Sequence, residues 1–282
     1  MCGVDVKWTH RGGIGMRFHV CVLVLVLIAT ALHAQTYRKT RSYIPEGEIE
    51  ENRTTARVIA NDPRPLLQVI GAFEKEYGWM GLLIDYEDPP YESKYDLVDD
   101  TAPQWRAEHP GSNGVTVPSG GYFESTYSEV HGVRWSSEKT EKVLNKVVHD
   151  YNRSGNPGGF IVRKEENGRY AIVGTAIKDG SGHSKPVAAI LDTPISLVSE
   201  ERSAAQTLTL ICERLSARVG SKVEYFGFGG MVDMVAVQST VTVGGENVPA
   251  RTLLLQTVDH MNSSRIWRLS YDADAKEYAL GF

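Results

Sequence analysis

The chain has 282 residues, of which 41% are hydrophobic, and its 30 basic and 35 acidic side chains give a formal net charge of −5. A chain of this length and composition can bury one or two full hydrophobic cores. The acidic excess argues against a nucleic-acid partner, which needs clustered Lys and Arg, and it does not favour an anionic membrane surface either.

The first 34 residues have the layout of a secretory signal peptide. Arg17 precedes an apolar run, Val20 to Leu32, and the small residue Ala34 follows it. The run is shorter than the roughly 20 apolar residues of a spanning helix. We predict cleavage near Ala34, with Ala31 as an alternative, and Met16 fits the start of translation better than Met1. A retained interfacial anchor is the competing interpretation.

After cleavage the chain is expected to be periplasmic or secreted, with no integral membrane span. Removing residues 1–34 takes away three basic side chains and one acidic one, so the mature net charge becomes −7. Cys212 is then the sole cysteine, so an intrachain disulfide is impossible, and its apolar neighbours predict burial. Residues 35–55 are polar and aperiodic, which predicts a flexible leader.

A first α+β module is predicted over residues 56–175. It begins with a short strand at 56–60 and an apolar helical stripe from Leu66 to Tyr77, and a strand at 80–86 follows. A long segment, 87–133, then interrupts the pattern as an insertion. The module closes with a helix over 137–151 and a hairpin that turns at Asn167-Gly168.

A second module, 187–282, repeats this order. It has a strand at 187–197, a helix opened by Ser199 and ended by Gly220, and a strand at 223–228. A β-rich stretch at 235–243, a turn at Gly244-Gly245, a helix at 249–261 and a last hairpin complete it. We therefore predict an α+β protein of two tandem modules of βαβ-βαββ type, with helices packed on small mixed sheets.

The first module resembles the secretin and TonB N-terminal short domain of bacterial envelope proteins. The matching residues are the strand and helix start Val58 to Leu66, the helix end Tyr77-Gly78, and Ser137-Glu138 with the Gly168 hairpin. In the second module, Asn247 to Leu254 has the same strand-to-helix form. The resemblance implies a periplasmic recognition module. The insertion departs from the family pattern.

No motif in the sequence indicates a catalytic, metal or cofactor site. His149-Asp150 and Asp259-His260 are neighbours on predicted helices and point in different directions, so neither makes a natural catalytic pair. The glycine-rich stretch 227–230 lacks the residues of a phosphate loop, and Asp272 and Asp274 lack the spacing of a calcium loop. We expect no cofactor and no metal.

The 87–133 insertion and the strand before it are rich in aromatic residues among acidic ones. Exposed aromatics beside polar groups are typical of binding surfaces, although the rings could instead pack against the first module. The sequence thus predicts a non-enzymatic module that binds an envelope protein or a cell-wall component; the alternative is a secreted hydrolase whose catalytic groups converge only in three dimensions. The candidate contact residues are Tyr86, Tyr91, Tyr95, Trp105 and Tyr122.

Overall fold

The computed structural model describes residues 47–51, 54–78, 81–112, 114–128, 136–226, 234–261 and 265–282, and the predicted signal peptide lies outside them. Within these residues the helices are α1 Pro65–Tyr77, α2 Pro103–Glu108, α3 Ser137–Arg153, α4 Ala204–Val219, α5 Met234–Gln238 and α6 Ala250–His260. None of these described helices is long and apolar enough to cross a membrane.

Fourteen strands alternate with the helices in the same described residues. The first seven are β1 Glu48–Glu51, β2 Thr55–Asn61, β3 Ile84–Glu87, β4 Leu97–Asp99, β5 Thr116–Pro118, β6 Tyr122–Ser128 and β7 Gly159–Lys164. The others are β8 Tyr170–Lys178, β9 Ser184–Pro186, β10 Pro194–Ser203, β11 Val223–Tyr225, β12 Thr240–Pro249, β13 Arg268–Asp272 and β14 Glu277–Gly281. Helices and small mixed sheets confirm the predicted α+β class.

A mixed sheet built from both halves of the chain lies at the centre. Its strand order is β11-β14-β13-β3-β8-β7, and β9 adds to β8 as a seventh strand. The halves meet where β3 runs parallel to β13, with Tyr86 opposite Arg268 and Glu87 opposite Leu269. Two smaller sheets flank this one, β1-β2-β6 and β10-β12, and β4 pairs with β5 in a separate hairpin.

Strand pairing follows one pattern in the two halves. In the first half β2 pairs with β6, and β3 runs parallel to β8, with Ile84 opposite Tyr170. In the second half β10 pairs with β12, and β11 runs parallel to β14, with Val223 opposite Tyr278. A tandem repeat would produce this shared pairing. Repeat origin itself stays a prediction, which superposing the two halves would test.

The helices of the two halves cover opposite faces of the central sheet. Ile84 and Tyr86 point into a core formed with α1 and α3, whereas their neighbours Ala171 and Val173 on the other face join a core formed with α4 and α6. β13 runs parallel to β3, whereas its counterpart β7 runs antiparallel to β3. The second half is therefore turned over relative to the first, which carries its helices to the other face.

Several predicted boundaries are wrong. Glu48–Glu51 of the predicted leader form β1, whose pairing with β2 includes an ion pair between Glu50 and Arg57 at 2.6 Å. Ser199 lies in β10, and α4 begins after Ser203 instead, because Ser203 and Gln206 form a reciprocal capping box. The predicted β-rich stretch begins with helix α5.

Two further segments differ from the prediction. Gly244-Gly245 lies inside β12 at a β-bulge, where a Cβ on Gly244 would come 2.4 Å from the backbone nitrogen of Ser199. Tyr122–Ser128 forms β6, which pairs with β2 along its whole length, so this part of the predicted insertion belongs to the shared fold. Among the described residues, the segment that the repeat pattern does not require is therefore about 88–121.

Side chains from neighbouring helices cap both outer strands of the central sheet. On β7, the Asn152 amide accepts from the Phe160 N–H at 2.9 Å and donates to the Phe160 carbonyl at 2.8 Å. On β11, the Ser216 hydroxyl accepts from the Val223 N–H at 2.8 Å and donates to the Cys212 carbonyl at 2.7 Å. Capping of this kind removes edge groups that would otherwise pair with another chain.

Ser216→Ala should lower the free energy of unfolding by about 1–3 kcal/mol, because the buried Val223 N–H would lose its acceptor. Thr209→Ala is the matched control on the same helix: among the described residues its exposed hydroxyl bonds only to the Ala205 carbonyl, so a change within about 0.5 kcal/mol is expected. Urea denaturation of both variants measures the difference. Equal effects would contradict a capping role for Ser216.

Candidate functional site

Residues 88–121 build a small substructure on the first half. β4 and β5 pair as an antiparallel hairpin, and α2 lies in the connection between them. Asp99 holds this connection through hydrogen bonds from the Thr101 N–H and from Arg106. The hairpin is also fastened to the second half, because the Thr116 N–H donates to the Asp274 carboxylate at 2.7 Å.

The five predicted contact residues divide into two groups. Tyr86 and Tyr91 are buried, and both donate their hydroxyl to the Asp88 carboxylate, at 2.6 and 3.2 Å. In their present positions they cannot touch a ligand, so for these two rings the packing interpretation holds. The other three candidates are exposed: Tyr95 is 42%, Trp105 40% and Tyr122 51% accessible.

The exposed aromatics have separate surroundings. Trp105, on α2, stacks on the imidazole of His109 with ring centroids 4.6 Å apart, and the His109 ring nitrogen hydrogen-bonds the Trp105 carbonyl at 2.9 Å. Tyr122, on β6, donates its hydroxyl to Glu124. Tyr95 precedes β4, and its ring packs over Gly182. Each of the three exposed rings is therefore restrained by a different neighbour.

A cleft of about 350 Å³ lies beside Tyr95, between the end of α3 and the β7–β8 hairpin. Its lining includes polar side chains from α3, β8 and β9 and backbone from three glycines. Lys178 connects it to the 88–121 substructure, because its ammonium donates to the Tyr95 carbonyl at 3.4 Å. The polar side chains are Asn152, Asn156, Thr175, Lys178 and Ser184.

Three buried carboxylates on and after β3 form a charged cluster that the sequence pattern did not predict. Asp85 accepts two hydrogen bonds from Arg169, at 2.7 and 3.1 Å, and one from the Trp267 N–H at 3.0 Å. The alternation Ile84-Asp85-Tyr86-Glu87 was the available signal, since every second residue of a strand points to the same face.

Glu87 and Asp88 continue the cluster toward the second half. Glu87 pairs with Arg251 of α6 and accepts from the Leu191 N–H at 3.2 Å. Asp88 pairs with Arg64 at 2.8 Å and accepts from the Tyr271 N–H at 3.0 Å. Each carboxylate is thus satisfied by a guanidinium and by a backbone N–H of the second half.

Burial changes the acidity of this cluster. It raises the pKa of Asp85 to about 6, although Arg169 and the Trp267 N–H act in the opposite direction. Burial also raises the pKa of Glu87, against the influence of Arg251. A raised carboxyl pKa means that the folded protein holds a proton which the unfolded chain releases, so stability falls as pH rises through that interval.

The residues weighed for catalysis do not come together. His149 and His260 are exposed, and Asp150 is bonded to Ser125 and Lys146, at 2.6 Å each. Cys212 is buried, and burial raises the pKa of its thiol to about 12. Within the described residues, no serine or cysteine hydrogen-bonds to a histidine, and no group of His, Cys, Asp and Glu could hold a metal ion.

Comparison with protein-family models, with curated proteins and with solved structures finds no match to this chain. The resemblance to the secretin and TonB N-terminal short domain therefore stays a prediction.

Stability should rise as the pH falls from 7 to 5, because Asp85 takes up its proton in the folded state near pH 6 and in the unfolded chain only near pH 4. Asp85→Asn should flatten this dependence, and Arg169→Met should move it to higher pH by removing the charge that favours the carboxylate. Thermal unfolding at pH 5, 6 and 7 measures it. An unchanged profile in Asp85→Asn, with Glu141→Gln as the exposed control, would exclude Asp85 as its origin.

Proposed function

We propose that this chain is an exported, non-enzymatic binding module that recognises an envelope protein or a cell-wall component. Export rests on the layout of residues 1–34, and recognition is assigned to the 88–121 substructure. Tyr95 and Trp105 are its exposed aromatics, and Tyr122 stands at the start of the adjoining strand β6. Tyr86 and Tyr91 then act by holding the segment in place.

The exposure of Trp105 is the observation that carries this proposal. An indole that leaves 40% of its surface accessible has an apolar face available to a partner. Stacking on His109 restrains the ring before any partner arrives. Restrained aromatic rings cost little conformational entropy on binding, and Trp and Tyr are enriched among the residues that dominate interface energetics.

The position of the substructure also supports a contact role. Its hairpin and short helix lie outside the strand pairing that the two halves share. Residues 104–112 are exposed wherever the structure describes them. Long connections in compact domains usually serve function when they are ordered. This one is ordered by the hydrogen bonds to Asp99 and by the bond from the Thr116 N–H to Asp274.

Trp105→Ala and Tyr95→Ala should weaken co-sedimentation of the mature protein with isolated bacterial cell walls at least fivefold, while changing the free energy of unfolding by less than about 1 kcal/mol. Phe226→Ala is the matched control, because Phe226 is 49% exposed in the second half. Tyr91→Ala should instead cost about 3–5 kcal/mol, because its ring is buried.

Two results would count against the contact surface: binding that survives both exposed substitutions, or equal weakening by Phe226→Ala. If the protein does not co-sediment with cell walls, the alternative ligand is an envelope protein. Capture of envelope proteins by the wild type and by Trp105→Ala tests this alternative. Loss of one specific partner on Trp105→Ala would support it.

Export should leave a mature N-terminus near Gln35, because the small residue at position 34 ends the apolar run. Mass spectrometry of the protein from a periplasmic or culture-supernatant fraction measures this terminus. Recovery of an intact Met16 terminus from the membrane fraction would establish the retained anchor instead.

A further inference from the structure

The cleft beside Tyr95 is electrically balanced. Among the described residues of its lining, Lys178 is the single charged one, and the ammonium donates to the Gly155 carbonyl at 3.1 Å and to the Tyr95 carbonyl at 3.4 Å. The buried carboxylate of Asp96 lies 3.8 Å from the same ammonium. A phosphate or carboxylate ligand would therefore compete with Asp96 for the Lys178 ammonium, so the cleft suits an uncharged ligand.

The remaining side chains of the cleft offer hydroxyl and amide groups. Ser184 makes no side-chain hydrogen bond to any described residue, and Thr175 makes only a 3.5 Å contact with the Gly159 carbonyl. The Asn156 amide donates to Ser154 at 2.8 Å and accepts from the Gly121 N–H at 3.1 Å, which leaves a second N–H. Groups that both donate and accept match the hydroxyls of a sugar.

An extended peptide fits the cleft less well. Peptides commonly bind beside an exposed strand by pairing with its backbone. On β7 the Phe160 N–H and carbonyl are both occupied by the Asn152 amide. The backbone that a peptide strand would use at this point is therefore already capped.

An aromatic ring stands next to these polar groups. The Tyr95 ring packs over Gly182, where a Cβ would come within 3.4 Å of it, and Gly182 lies two residues before Ser184. The ring keeps 42% of its surface accessible. The Lys94 ammonium lies over the ring, 5.4 Å from its centroid, so Tyr95 forms a cation–aromatic pair at the border of the polar cleft.

We propose that this cleft binds an uncharged carbohydrate, with Thr175, Ser184 and Asn156 contacting its hydroxyl or acetamido groups. The proposal rests on the proposed function, of which it specifies the ligand class and the site. It makes Trp105, on α2, a separate contact that the carbohydrate itself does not need.

The test is calorimetric titration of the mature protein with two neutral trisaccharides, N,N′,N″-triacetylchitotriose and maltotriose. Binding of at least one is expected, and Thr175→Val and Ser184→Ala should each weaken it at least fivefold. Thr242→Val is the matched control, an exposed strand threonine in the second half, and should leave the affinity unchanged. Trp105→Ala should also leave trisaccharide affinity unchanged.

Absence of binding by both sugars at millimolar concentration would overturn the carbohydrate site, as would binding that the cleft variants do not alter. Titration with an uncharged tripeptide is the third arm, and peptide binding that is lost in Thr175→Val would also overturn it. Cell-wall sedimentation that still depends on Trp105 would then leave the proposed function standing. Trisaccharide binding by a protein that binds neither cell walls nor an envelope protein would support the carbohydrate site and contradict the proposed function.

Discussion

The joint between the halves depends on three buried carboxylates that each need partners from the second half. The Asp85 carboxylate accepts a hydrogen bond from the Trp267 N–H. In the same way, Glu87 accepts one from the Leu191 N–H, and Asp88 accepts one from the Tyr271 N–H. A buried carboxylate that loses its partners is strongly destabilising, whereas apolar contacts tolerate small displacements. The cluster therefore specifies where β13 lies against β3. Burial has a cost at Asp85, because it raises the pKa of this carboxyl to about 6 although Arg169 and the Trp267 N–H favour the charged form.

The same cluster explains why two similar halves form one sheet. Ile84 and Tyr86 point to α1 and α3 of their own half, so Asp85 and Glu87, which alternate with them, must point to the opposite face. On that face lie the core of the second half and Arg251 of α6. Since the second half is turned over, its helices cover the face that the first half leaves open. Each half thus supplies one of the two layers that enclose the shared strands.

Local patterns in the sequence predicted the elements better than their assembly. The helices at 65–77 and 137–153 and the Asn167-Gly168 hairpin follow from periodicity and turn chemistry, which are properties of neighbouring residues. The predicted start of α4 at Ser199 is wrong because the helix is capped by Ser203, where the Gln206 side chain completes a capping box. The β3–β13 pairing joins residues more than 180 positions apart, and no local pattern encodes such a contact. The arginine partners of Asp85 and Glu87 were missed for the same reason.

Packing and exposure, which the sequence left as alternatives for the aromatic segment, turn out to be complementary. Tyr86 and Tyr91 are held on Asp88, and a Cβ on Gly158 would come 3.1 Å from the Tyr91 ring, so the segment starts from a rigid base. Asp96, which directly precedes β4, accepts hydrogen bonds from the Gly158 and Lys178 N–H groups and extends that base to the cleft. Tyr95 lies next to this anchor and Trp105 is restrained by His109. In the proposed function the buried rings would fix the backbone, so the exposed rings would bind a partner at a small cost in conformational entropy.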